Sequence, residues 1–327
     1  MSTVSGRNQE PNHPVSPAHS ALTDSDCDRV AEEPTTLGLI QSRLLDWYAV
    51  NRRALPWRGD TDPYRVLVSE VMLQQTGVER VKDYYRRFLD QFPDFASLAA
   101  APRVDVLKVW GGLGYNRRAV YLHDCARAVV ERHDGQLPAD PVALARLPGV
   151  GPYTLAAVLC FAFGQDVATV DTNIQRVLGR AVFGGEATRD QIHRVASTLL
   201  PVGRAAAWNQ ALMDFGSLQC TARNPKCLFC PLNECCAAVA QPQVSQTRRV
   251  AELREPFVGS RRYLRGRIVA RLRDLAPLAT VPLESFANLL PTPVDRIRLI
   301  EIARGLAEHN LARLVEDENG LCIGPPS

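Results

Sequence analysis

Five of the nine cysteines in this chain fall within seventeen residues, and four of them carry the spacing Cys220-x6-Cys227-x2-Cys230-x5-Cys236. Four thiolates in one short loop suit a cubane 4Fe-4S cluster, which takes one Cys per iron corner. A tetrahedral zinc would use the same donors, and a Cys-x2-Cys pair alone does not separate the two. Cys235, next to Cys236, is the spare thiol of the loop. Cys27, Cys125, Cys160 and Cys322 are scattered, and in a chain without an export signal they argue against a disulfide framework.

Around this loop the chain is ordinary and globular. Its 327 residues are 46% hydrophobic and 22% charged, which excludes collagen-like, mostly disordered and small disulfide-dense scaffolds. There is no charged-then-apolar leader and no run of about eighteen apolar residues, so a cytoplasmic location without membrane contact is expected. The net charge of +3 hides an uneven layout, with nine Arg against two Glu between Arg248 and Arg273, and four basic against eight acidic residues from Asp274 onward. The basic segment reads as a phosphate-binding stripe or as a solvated Arg-rich helix.

Residues 1–36 are rich in Ser, Pro, Asp and Glu and lack apolar period, the composition of a disordered tail. Beyond them apolar residues recur at helical spacing: Leu39, Ile40, Leu44, Leu45 and Tyr48 form one stripe, and Val81, Tyr84, Tyr85 and Phe88 another. Asp62 before Pro63 marks a capped helix start. Further helices are expected at 103–110, 115–133, 153–163, 173–182, 188–199 and 204–218. Without convincing strands, residues 37–241 are expected to form an all-α domain that includes the loop 220–236. After a linker, helices around Tyr263–Asp274, Leu283–Leu290 and Asp295–Ala312 precede a Glu-Asp-Glu-Asn-Gly turn, so residues 242–327 suggest a small winged-helix-like α/β domain.

Two carboxylates and one turn carry the candidate chemistry. Glu70 lies mid-helix on an apolar face, four residues after Val66 and three before Leu73, where an acid is costly unless it has a task. Burial would favour its protonated form, that of a general acid. Asp171 precedes the helix beginning near Ile174, where the macrodipole favours an anion. An acid paired with a carboxylate suits glycosidic bond cleavage. An N-cap for Asp171 and a buried ion pair for Glu70 are the plainer alternatives. In Leu147-Pro148-Gly149-Val150-Gly151, between two helices, glycines let backbone amides approach a phosphate, or simply make a tight turn.

Taken in order, Leu55-Pro-Trp-Arg58, Ser69-Glu-Val-Met-Leu-Gln-Gln-Thr76, Gly112-Leu-Gly-Tyr115, Leu147-Pro-Gly-Val-Gly151, Val170-Asp-Thr-Asn173 and the four cysteines resemble the helix–hairpin–helix DNA glycosylases of the endonuclease III superfamily, most closely the adenine-removing members. The resemblance spans about Leu37 to Cys236. It implies a six-helix barrel module plus an iron–sulfur module, one 4Fe-4S cluster, and duplex DNA containing A:8-oxoguanine or A:G mispairs as substrate. The flipped adenine would be protonated by Glu70, and the sugar cation stabilised or captured by Asp171, with Tyr153 and Asn173 in support. Tyr153 stands where the superfamily's lyases carry the Schiff-base Lys, so simple hydrolysis is implied. Arg53, Leu55, Trp57, Arg58 and Gln210 match the adenine pocket; Gln75, Thr76, Leu113 and Tyr115 match DNA-contacting loops, with Tyr115 intercalating; Gly149 and Gly151 match the hairpin. Such an enzyme works as a monomer, and a sliding clamp or other repair proteins are the partner class implied.

Two departures stand out: Thr172 replaces a common Gly, and residues after Gln241 are too few and too helical for the family's usual 8-oxoguanine-reading domain. A thymine glycosylase acting on T:G mismatches and a non-catalytic iron–sulfur redox sensor on DNA are the competing readings.

Overall fold

The computed structural model describes residues 34–240, 256–289, 294–318 and 320–326. The linker after Gln241 and almost all of the expected tail lie outside these residues.

Helix α1 (Pro34–Asn51) is followed by a contiguous run of seven: α2 (Pro63–Leu73), α3 (Val78–Gln91), α4 (Phe95–Ala100), α5 (Arg103–Val109), α6 (Arg117–Arg132), α7 (Pro141–Ala145) and α8 (Pro152–Phe161). α2 starts as its sequence dictates, with Pro63 in the first turn and the Asp62 carboxylate accepting the Arg65 N–H at 2.9 Å. These seven close a barrel-like lobe around Leu67, Met72, Phe88, Leu98, Trp110 and Leu122, all fully buried.

The second lobe is discontinuous in sequence. α9 (Thr172–Phe183), α10 (Arg189–Thr198) and α11 (Ala205–Leu218) pack with α1 around Ile40, Leu44, Ile174, Leu178, Trp208 and Phe215. Arg43 of α1 reaches the cysteine loop, donating to the Pro231 carbonyl at 2.9 Å. That loop is two single 3-10 turns, Cys227–Phe229 and Asn233–Cys235, followed by α12 (Ala237–Ala240). Leu39, expected in the α1 stripe, is 38% exposed; the buried face of α1 runs through Leu37, Ile40 and Leu44 instead.

No strand occurs in the two lobes among the described residues. The last elements are α13 (Arg261–Arg273), β1 (Val281–Pro282), a 3-10 segment (Leu283–Leu289), α14 (Arg296–Ala307), β2 (Arg313–Asp317) and β3 (Gly320–Gly324). The antiparallel sheet runs β1-β3-β2, with Ile323 paired to Val281 on one side and Leu314 on the other. This is the winged-helix order. Two expected helices change here: the one expected from Leu283 is 3-10 over Leu283–Leu289, and the helix expected to reach Ala312 stops at Ala307, with Asn310 at φ +52° turning the chain toward β2. The core of this module (Leu264, Ile268, Phe286, Leu299, Ile302, Ile323) is continuous with that of the first lobe. Among the described residues no helix is long and apolar enough to cross a membrane.

Candidate active site

The cleft between the two lobes encloses a cavity of about 810 Å³. α2 brings Glu70 to it from the first lobe, and the N-terminus of α9 brings Asp171 from the second. Arg53, Leu55, Trp57, Arg58, Gln75, Thr76, Tyr153, Asn173 and Gln210 also line it. Residues spread over some 160 positions of sequence thus meet in one space.

Glu70 is 7% exposed, and burial pushes its carboxyl up from 4.5 to about 7. The Tyr153 hydroxyl donates to Glu70 Oε2 at 3.0 Å and opposes part of that rise. A buried ion pair is not what holds Glu70. The nearby Arg58 guanidinium is committed to Asp214 Oδ1 at 2.8 Å, and acts on Glu70 only through space.

Asp171 is the N-cap of α9. Its Oδ1 accepts the N–H groups of Asn173 and Ile174 at 2.8 and 2.7 Å, and its Oδ2 accepts the Asn173 side-chain amide at 2.9 Å. The capping alternative is therefore real, yet it uses only part of the carboxylate's acceptor capacity. Asn173 in turn accepts from Arg176 Nη2 at 2.8 Å, while Arg176 also donates to the Gly216 and Cys220 carbonyls at 2.6 and 2.9 Å. Gly216 is required here: a Cβ would stand 2.7 Å from the Asn173 Cβ.

The pocket wall is more structural than its sequence suggested. Arg53 clamps Asp214 through its backbone N–H, Nε and Nη2 at 3.0, 2.9 and 2.7 Å. Trp57 packs edge-on against Tyr85 with centroids 5.6 Å apart. Gln210 accepts the Tyr48 hydroxyl at 2.8 Å. Asp214 escaped the sequence reading, although an acid between Met213 and Phe215 on an otherwise apolar helix carries the same signal that singled out Glu70.

Tyr115, Leu113, Gly149 and Gly151 do not line the cavity. Leu113 is 4% exposed and belongs to the core, so its side chain faces inward, contrary to the expected DNA contact. Gln75 and Tyr115 are exposed and have φ of +56° and +49°, two of the four non-glycine residues in the left-handed region among those described. Such strain concentrates at functional positions. Arg118, also missed, ties their loops together. Buried in the first lobe, it donates to the Val71, Met72 and Gln74 carbonyls at 2.8, 2.7 and 2.6 Å and to Thr76 Oγ1 at 2.9 Å. Nothing in Asn116-Arg117-Arg118 distinguishes it from its neighbour. In the hairpin, Gly149 needs both its φ of +77° and its missing Cβ, which would lie 2.7 Å from the Tyr121 Cβ. Gly151 is the N-cap of α8.

In the second lobe Cys220, Cys227, Cys230 and Cys236 surround one small cavity of about 60 Å³ with Val177, Phe215 and Leu232. Cys235 lies outside it. Arg180 Nη1 approaches Cys220 Sγ at 3.5 Å. Among the described residues no three His, Cys, Asp or Glu side chains come together as the ligand set of a single ion; the four thiols stand around a volume rather than at a point.

Residues 68–201 match the HhH-GPD superfamily base excision DNA repair proteins. The chain is 39% identical over 274 residues to the adenine DNA glycosylase of Mycolicibacterium smegmatis, covering 81% of this chain and 91% of that one. A thermostable thymine-DNA glycosylase has a similar structure, with TM-score 0.60, 34% identity, and 63% of this chain and 97% of the other covered. A non-covalent endonuclease III–DNA complex shares the fold at TM-score 0.57 and 20% identity, over 64% and 97% of the chains. With these likenesses added to the cleft geometry, the chain belongs to the adenine DNA glycosylases of the HhH-GPD base-excision repair superfamily.

Proposed function

We propose that this protein hydrolyses the glycosidic bond of adenine mispaired with 8-oxoguanine or guanine in duplex DNA. The observation that carries the reading is the juxtaposition of a buried Glu70, raised to about 7, with the Asp171 carboxylate across one cavity large enough for a flipped nucleotide. Glu70 delivers its proton to the imidazole ring of adenine. The C1′–N9 bond then breaks, its electron pair leaving with the base. Asp171, oriented by Asn173 and the α9 N-terminus, stabilises or captures the sugar cation, and water completes the hydrolysis. Tyr153 holds Glu70 by its hydroxyl and offers no amine for a Schiff base, which supports hydrolysis without a strong lyase step. Gln75, Thr76 and Tyr115 enter the base stack, and the exposed Gly149–Gly151 hairpin takes phosphate at its amides.

Cys220, Cys227, Cys230 and Cys236 hold a 4Fe-4S cluster, for which an all-thiolate set around an apolar-walled space is well suited. Bound there, the cluster supplies structural bonds that fix the loop carrying Arg223 and Lys226.

The test is base release measured on A:8-oxoguanine, A:G and T:G duplexes by one preparation. Adenine release from the first two, abolished in Glu70→Gln, is the expected result; release of thymine alone transfers the activity to the thymine glycosylase reading, and release of nothing favours the redox-sensor one.

A further inference from the structure

The winged-helix module does not offer DNA the surfaces such modules ordinarily use. The end of β2 and the turn after it carry the exposed Glu316 and Glu318, and the outer face of α14 mixes Arg296 and Arg304 with Glu301, so neither is a phosphate-binding surface. The basic element is α13, which leaves Arg261, Arg267 and Arg271 exposed and turns one face toward the first lobe. Arg262 and Arg273 are eleven residues apart, three helical turns, and so share one face of α13. Both meet the loop 111–116.

At one end Arg273 Nη2 donates to Asn116 Oδ1 at 2.7 Å, and its guanidinium packs over Gly111, where a Cβ would lie 3.1 Å from Nη1. Arg273 Nε is buried with no hydrogen-bond partner. A guanidinium placed in such a spot is costly unless it holds something in position. At the other end Arg262 lies 5.3 Å from the Tyr115 ring centroid and 5.1 Å from that of Phe257. Arg118 approaches Tyr115 at 5.4 Å. Tyr115 itself is 40% exposed at φ +49°, a conformation its loop must impose on it.

We propose that α13 splints the 111–116 loop: Arg273 fixes its ends and Arg262 steadies the Tyr115 ring, so the C-terminal module sharpens mispair discrimination by holding the intercalating residue in place rather than by reading a base. Arg262 is thus a positioning residue, and its role rests on the proposed intercalation by Tyr115.

The test is a double-mutant cycle in the full chain on Arg262→Ala and Tyr115→Leu. Affinity is read for a duplex carrying a cleavage-resistant 2′-fluoro deoxyadenosine opposite 8-oxoguanine and for a fully paired duplex. Tyr115→Leu lowers the ratio of the two affinities. Arg262→Ala lowers it by about two- to fivefold, the size of an exposed cation–π contact, and the double variant is no worse than Tyr115→Leu alone. If Tyr115→Leu lowers the ratio but Arg262→Ala multiplies that loss, or weakens both duplexes alike while flattening the salt dependence, Arg262 is a phosphate contact and the splint is overturned. If Tyr115→Leu leaves the ratio unchanged, the intercalation reading fails first and the splint falls with it. Asn116→Ala, which removes the half-buried acceptor of Arg273, lowers the ratio in the same direction; no change there also counts against the splint.

Discussion

Replacing Glu70 by Gln keeps the shape of the side chain and an oxygen acceptor for the Tyr153 hydroxyl while removing the titration. Burial holds the carboxyl at about 7 against 4.5 for the free acid. The difference of about 2.5 units, at roughly 1.4 kcal/mol each, makes the ionised side chain cost the native state about 3 kcal/mol. Between pH 4.5 and 7 the native protein binds more protons than the unfolded chain, so this cost grows as pH rises through that window and is complete above it. Glu70→Gln should therefore match the wild type in stability at pH 4.5 and exceed it by about 3 kcal/mol at pH 8. Thermal midpoints at matched scan rates, for both proteins across that range, read this as a gap of several degrees that opens only above pH 4.5. In the same window the wild-type single-turnover rate should fall about tenfold per pH unit above 7, as the protonated acid is depleted, while the variant stays inactive throughout. A stability gap equal at pH 5 and pH 8, or a wild-type rate level from pH 6 to 8.5, would refute the argument.

Other substitutions test separate contacts. Asp171→Asn keeps an N-cap of equal quality, so base release should drop by orders of magnitude while the thermal midpoint moves by no more than a degree or two. Tyr153→Phe deletes the hydrogen bond that lowers the Glu70 pKa; the alkaline limb of the pH–rate profile should shift upward, and a downward shift would contradict the geometry. Gly216→Ala forces a methyl against Asn173 at about 1–3 kcal/mol of overpacking, and should slow single-turnover excision more than it weakens DNA binding. Visible absorbance of the purified protein should be lost in Cys236→Ser and retained in Cys235→Ser.

How much of this was legible in the sequence depended on whether the signal was local. Glu70 was readable because an acid on an apolar helical face violates the expected pattern within one turn, and Asp62 and Asp171 because a cap is a short-range motif. The Tyr153–Glu70 bond was not, since it joins positions 83 apart and neither residue's surroundings announce the other. Arg53 and Arg58 were placed at the pocket but given to the ligand; the buried Asp214 that takes both could be found only once α11 was folded against them. Leu113 misled because its motif is a loop motif, whereas its side chain fills the core beneath that loop. The C-terminal sheet was foreseeable as a hairpin, but its third strand is only Val281–Pro282, too short to register as a period.

The membership of α1 in the second lobe has a consequence for biosynthesis. Its apolar face leaves the ribosome first, yet its partners in α9 and α11 follow more than 120 residues after Asn51, a delay on the order of ten seconds at ordinary rates of synthesis. Meanwhile the contiguous first lobe can close alone. The half of the cleft bearing Glu70 is then complete on a nascent chain that still lacks its counterpart, and Ile40 and Leu44 stay bare until α9 and α11 have been made. A released fragment ending near residue 165 should resist protease across α2–α8 and be cut within α1; one ending after Cys236 should protect both.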